Sequence, residues 1–421
     1  MTLLQKLDAS PTAYQAVGLA AAQLEQAGFA RLDEAGAWTL EPGKGYFVIR
    51  DGSALIAFFC PPKAEGGFLI AAAHTDSPAL KLKYGRCGDK EALLLPVEAY
   101  GGGIFYSFLD RPLAIAGRLI LEEGACLRSL PVVSRATVVI PSVAVHFNRE
   151  VNKGLTLNPQ TDLRPLCGLD PGFDVLAALA ADAGAPGARV RDFDLFLVNR
   201  TPAFRFGFGE ELICAPRIDN LTSCFAAVDA LTAARPSRFA VVYLADHEEI
   251  GSRTPQGAAS SFLRDTLRRA AQALGRDFDG MLAESFLLSA DNAHARHPNH
   301  PELSDPDHPV LLNGGVVVKH HANRNYTTDA LSSALIRKIF EGAGVRVQDF
   351  FMRSDLRCGG TLGALASTLL PVRSADIGLA QLAMHAAAET VGAADFEELV
   401  RGLTAFFQTP LTVRGEEVVL A

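Results

Sequence analysis

The sequence predicts an α/β fold: a mostly parallel central sheet with helices on both faces, plus a β-rich domain inserted into it. Three observations carry this. Runs such as Phe68-Leu-Ile-Ala-Ala-Ala73 and Phe239-Ala-Val-Val-Tyr-Leu-Ala245 are apolar at every position, as in strands buried on both faces. These runs alternate with amphipathic stretches, the pattern of βαβ units. From about Cys87 to Phe204 the texture changes to strand-like pieces broken by glycine and proline. At 421 residues the chain is also too long for one ordinary core. The division that follows is residues 1–86 with 205–421 for a discontinuous α/β domain, and 87–204 for the insert.

Taken in order, Ser10-Pro11 predicts a helix with proline at its first position, closed by Gly28. Tyr14, Val17, Ala21 and Leu24 form its apolar stripe. The strand at 68–73 follows. In the insert, Leu113 to Ile120, Ala136 to Ile140 and Phe193 to Val198 read as strands, with one helix near Asp174 to Ala183. A helix from Leu221 to Leu231 places Leu221, Phe225, Val228 and Leu231 on one face. Later strands are expected at 239–245, Gly280 to Ala283, Gly315 to Lys319 and Ser374 to Leu379.

Composition narrows the function. Hydrophobic content of 49% with 20% charged residues describes a soluble globular chain with apolar surface to spare for an oligomer. A net charge of -8 argues against nucleic acid or an anionic membrane as partner. No apolar stretch reaches the ~18 residues of a membrane span, and the first residues do not read as a signal peptide. Seven scattered cysteines without a Cys-x-x-Cys pair suit reduced thiols in a cytoplasm and exclude a cysteine zinc site.

Chemistry concentrates in a few phrases. Glu248-Glu249 follows the 239–245 strand, and two adjacent carboxylates at a buried strand's end raise each other's pKa unless a cation is near. His74 leaves the first buried strand, with Asp76 two residues on to hold its other ring nitrogen. Asp219 precedes the helix beginning near Leu221; as an isolated residue it reads first as a helix cap, and as a ligand it could bridge two ions. Asp291 follows a later strand and His385 follows the last. His294, His297, His300 and His308 crowd one loop and read mainly as solvated. Oxygen and nitrogen donors without sulfur suit a catalytic zinc, manganese or cobalt site. Two ions sharing a carboxylate would make a hydrolytic centre.

Together these phrases resemble the M18 family of metallo-aminopeptidases, best known for the aspartyl aminopeptidases. The matching words are Ala-His-Thr-Asp-Ser-Pro (73–78), Tyr-Gly-Gly-Gly-Ile (100–104), Asp-Arg-Pro-Leu-Ala-Ile-Ala-Gly-Arg (110–118) and Ile-Asp-Asn-Leu-Thr-Ser-Cys-Phe (218–225). His-Glu-Glu-Ile-Gly-Ser (247–252), Ser-Ala-Asp-Asn-Ala-His (289–294) and Gln-Leu-Ala-Met-His (381–385) continue them in family order. The resemblance implies a zinc-exopeptidase-like fold and a binuclear aminopeptidase that removes single N-terminal residues, Asp or Glu preferred. It implies two divalent ions per subunit, zinc first and manganese or cobalt as alternatives. Asp219 would bridge them, with Glu249 and His385 on one and His74 and Asp291 on the other; Asp76 would stand behind His74, and Glu248 would be the general base. Lys319 and Tyr326 would meet the substrate. His146 would reach a neighbouring subunit's active site, and the assembly would be a dodecamer built from dimers. The Asp219–Asn220 peptide is expected to be cis. His247 stands where many members have Asn. Two other readings are a metal-dependent carboxypeptidase or deacylase on the same scaffold, and a self-assembling carrier with a vestigial site.

Overall fold

The computed structural model describes residues 1–63, 66–86, 91–414 and 416–420. Cys87, with the domain boundary placed there, lies outside the described residues. A large mixed sheet forms the frame. Its centre is four strands, in the order 239–245, 68–74, 286–290, 373–382, each parallel to the next. Antiparallel strands Gly45–Arg50 and Ala54–Phe59 extend one side. Glu389–Gly392 and Leu212–Ala215 extend the other.

Why these runs are apolar throughout is visible in the packing. Leu69, Ala71 and Ala73 face one core, while Phe68, Ile70 and Ala72 face another on the opposite side. The 239–245 strand repeats the division, with Ala240, Val242 and Leu244 against Val241, Tyr243 and Ala245. Helices Ala13–Gln26, Ile218–Ala233, Ala330–Gly342 and Asp395–Gln408 cover the first face; Phe262–Ala273 and Leu362–Leu369 contribute to the second. With both faces dry, strand periodicity disappears from the sequence.

A separate five-stranded antiparallel sheet runs in the order 97–100, 79–82, 189–199, 113–123, 126–133. It carries its own core and the helix Val175–Asp182, capped by Asp174. Polar ties fasten it to the main body. Tyr14 donates to Asp194, which also holds Lys81 and Arg118. Gln15 donates to the carbonyls of Gly117 and Val132.

Three expectations are corrected. Gly280 to Ala283 is not a strand: Phe278–Ala283 is a short helix capped by Asp277, and the strand begins at Phe286. A local cap defeats an apolar run too short to show a period. The N-terminal helix begins at Ala13 behind Thr12, with Pro11 before the cap, although Gly28 ends it in a left-handed conformation as expected. Residues 138–140 form only isolated bridges, to Leu113, Leu166 and Leu109.

Candidate metal centre

Five chain segments converge at the carboxyl ends of the central strands, where an α/β sheet presents ligand sites. His74 ends its strand and is 1% exposed. Its Nδ1 lies 3.1 Å from the Asp76 carbonyl, which can only accept. The ring therefore carries its proton there, and Nε2 faces inward. Nε2 lies 3.4 Å from Asp219 Oδ1 and 3.6 Å from Asp291 Oδ1. His385 repeats the arrangement, with Nδ1 3.1 Å from the Gly102 carbonyl and Nε2 3.6 Å from Asp219 Oδ2 and 3.3 Å from Glu249 Oε1. Asp219 thus stands between the two imidazoles, one oxygen turned to each.

The Asp219–Asn220 peptide is cis, and Asp219 and Asn220 depart from helical geometry before the helix proper begins. Among the described residues no amide of that helix start donates to the Asp219 carboxylate, so it is not a cap. Asp219 Oδ1 and Glu249 Oε1 are instead buried with no hydrogen-bond partner. Orphaned buried oxygens cost free energy unless something positive meets them. With two inward-facing imidazole nitrogens beside them, this donor set fits divalent cations. His74, Asp219 and Glu249 each offer one ligand atom within 4.8 Å of the others.

Electrostatics agree. Burial first, then the Asp219 charge, pushes Glu249 up to about 9; burial and the Asp291, Asp76 and Asp219 charges push Glu248 to about 7. Against its burial, Asp219 pulls His385 up to about 9, and His74 rises well above the usual range beside Asp219, Asp291 and Asp76. Without metal, protons on the imidazoles supply the positive charge the carboxylates lack.

Asp76 does more than hold His74. Its carboxylate accepts from the backbone amides of Glu248 (3.1 Å) and Glu249 (3.2 Å), and from the Tyr100 hydroxyl at 2.7 Å. The triple glycine also has a steric purpose: a Cβ on Gly101, at φ +70°, would meet Glu249 Cβ at 3.2 Å. Lys319 is 2% exposed, with Nζ donating to the Asn292 carbonyl at 3.0 Å, 3.7 Å from Asp291 Oδ2 and 5.0 Å from the Tyr326 ring centre. Tyr326 is buried. His146 stays apart, exposed on the 141–147 loop beside Phe147. His300 and His308 are exposed and pair with Glu302 and Asp305.

Sequence reasoning missed Tyr100 and Glu389. The buried Glu389 carboxylate accepts from the backbone amides of Asp219 and His385. Its one sequence signal is an acidic residue opening a strand four positions after His385.

A parallel α/β sheet carrying this acid and imidazole cluster defines a metal-dependent hydrolase. Comparison with known proteins then gives the family. Residues 6–407 match the model for aminopeptidase I zinc metalloproteases, and the chain belongs to this M18 family. A probable M18 family aminopeptidase 2 of Pseudomonas paraeruginosa is 38% identical over 96% of this chain and 97% of its own length. One from Stutzerimonas stutzeri is also 38% identical, covering 97% of each. Among solved structures, Ape4 in its complex with Nbr1 superposes with a TM-score of 0.92 at 35% identity, over 96% of this chain and 84% of that one. The S. cerevisiae mApe1 dodecamer gives 0.84 at 28%, over 96% and 95%. The protein is a metallo-aminopeptidase, a hydrolase acting on peptides.

Proposed function

We propose that the chain is a binuclear aminopeptidase removing single N-terminal residues, preferentially Asp or Glu. The observation that carries this reading is Asp219, with one carboxylate oxygen turned to each of two inward-facing imidazoles. His74 and Asp291 would complete one ion position, and Glu249 and His385 the other. Two divalent ions, zinc as in the family, would polarise the scissile carbonyl and lower the pKa of a water toward ~7.

The chain's own groups supply the rest. Glu248 is half-buried beside the cluster, and a carboxylate raised toward neutrality can take a proton from the attacking water and pass it to the leaving amine. Lys319 spends one of its three donors on Asn292, which leaves others for an acidic first side chain, with Tyr326 alongside. His146 would act in a neighbouring subunit, steadying the tetrahedral intermediate. Residues 87–204 would serve as the oligomerisation and lid domain, and 1–86 with 205–421 as the catalytic one. The dodecamer seen for mApe1 supports a homo-oligomer of that size here. Among the described residues no helix is long and apolar enough to cross a membrane; a cytoplasmic location is part of the proposal.

Hydrolysis of Asp-, Glu- and Leu-p-nitroanilide by metal-free protein, before and after zinc, manganese or cobalt, tests the reading. Restored cleavage favouring Asp or Glu is expected. Cleavage favouring Leu would remove the acidic preference, and no cleavage with metal bound would return the deacylase and carrier readings.

A further inference from the structure

From the geometry we infer that Glu389 is a positioning residue that sets His385 and the shared ligand Asp219 relative to each other, an inference resting on the metal-centre reading above. Glu389 is 2% exposed and opens the strand Glu389–Gly392, paired to Leu212–Ala215. Its two oxygens are divided between the two ligand segments. Oε2 accepts from the Asp219 amide at 2.9 Å, and Oε1 from the His385 amide at 2.7 Å. Among the described residues Glu389 enters no ion pair, although its charge, with that of Asp8, also acts on the buried Arg217 guanidinium.

The site requires a carboxylate. Glutamine presents one acceptor and one donor, so it could satisfy only one of two amides that both donate. The segment it holds also needs holding. His385 has φ +69° and Ala383 has φ +55°, left-handed conformations that non-glycine residues adopt only when their surroundings impose them. Asp219 and His385 come from opposite ends of the 205–421 segment, yet their ligand atoms face each other at 3.6 Å. A single carboxylate bonded to both main chains fixes that separation. Asp76 does the same for the Glu248 and Glu249 amides, so two buried carboxylates hold the main chain of four active-site residues. None of the hydrogen bonds found for the Glu389 carboxylate reaches His74 or Asp291, which predicts an uneven effect on the two ions.

The test is cobalt and zinc titration of metal-free Glu389→Gln, read by stoichiometry and by the cobalt d–d absorption bands, with His385→Ala as comparator. Both ions should weaken, because Asp219 turns one oxygen to each, but unequally. The ion beside His385 should weaken by about 10- to 100-fold, the range for residues that orient metal ligands, and the one beside His74 and Asp291 clearly less, with absorption changes resembling those of His385→Ala. Native affinity for both ions would overturn the inference. So would equal weakening of both with a matching fall in the metal-free melting temperature, which marks a merely structural role. If His385→Ala leaves both ions in place, the metal-centre reading itself fails. Should Glu389→Gln not fold, Glu389→Asp, one methylene too short to reach both amides, should give the same uneven loss; native binding by it would overturn the proposal.

Discussion

At the residue scale the centre is a charge-balance problem. Glu248 and Asp246 are pushed to about 7 and Glu249 to about 9, burial being the first cause in each case. Each metal-free folded carboxylate therefore keeps a proton that the unfolded chain releases near pH 4 to 5. Folding binds protons through that window, so stability is full below it and falls as pH rises toward 9. His385, raised to about 9, loses its contribution over the same upper range. The melting temperature of metal-free protein is thus expected to drop by several degrees between pH 5.5 and 9, and saturating zinc should flatten the slope. Differential scanning at fixed ionic strength reads both; a metal-free curve that is flat or rising would contradict the charge argument. Glu248→Gln separates proton transfer from binding. Turnover should fall about 10²- to 10⁴-fold while metal content stays native, and loss of the ion would assign Glu248 to binding instead. Lys319→Ala should reduce cleavage of Asp and Glu substrates far more than Leu. Equal losses would mean that Lys319 serves Asp291, 3.7 Å away, and not the substrate.

At the element scale, the sequence showed best what physics imposes locally. Strands buried on both faces could be read from uninterrupted apolar runs, and strand ends bearing His74, Glu248 and Glu249 pointed to the site. The short helix Phe278–Ala283 was not legible, because the four-residue run 280–283 carries no period and the Asp277 cap outweighs it. Taken alone Asp219 reads first as a cap, and only the tertiary arrangement decides against it. Tyr100 and Glu389 were missed because their partners are a distant carboxylate and main-chain amides, which leave no spacing to read. Tyr100 closes the strand Val97–Tyr100 at the edge of the second sheet, and its hydroxyl meets Asp76, which anchors the Glu248–Glu249 turn. The second sheet therefore reaches the residue that anchors the catalytic turn through this hydrogen bond, and its Tyr100 ring also packs beside His247. Tyr100→Phe keeps the ring packed on Phe196 and removes only that bond. It should lower kcat with little change in KM or melting temperature. An unchanged kcat would show that the two backbone amides hold Asp76 well enough alone.

At the scale of the whole molecule, the second sheet exposes what the main body hides. On the 141–147 loop, Val143, Val145 and Phe147 are 65%, 52% and 86% exposed, and His146 lies among them. Apolar side chains clustered this openly mark a surface meant to be covered, and a homo-oligomer would cover it with another copy of the chain. His146 would suit such an assembly, because it is exposed and, among the described residues, no hydrogen bond or ion pair joins it to Asp219 or Glu248. Phe147→Asp should leave the subunit folded, since the residue touches little within the chain, while shifting sedimentation to smaller species and cutting activity. The decisive arrangement uses two inactive proteins. His146→Ala lacks the group offered outward, and Glu248→Gln lacks the base held inward. If His146 serves a neighbouring subunit, dissociating the two and reassembling them together forms sites with an intact Glu248 from one chain and an intact His146 from the other. With subunits assorting at random, about a quarter of the sites regain both groups, each draw being an independent one-half. Activity near that fraction is expected only after mixed reassembly, and no recovery from demonstrably mixed oligomers would place the action of His146 within its own chain.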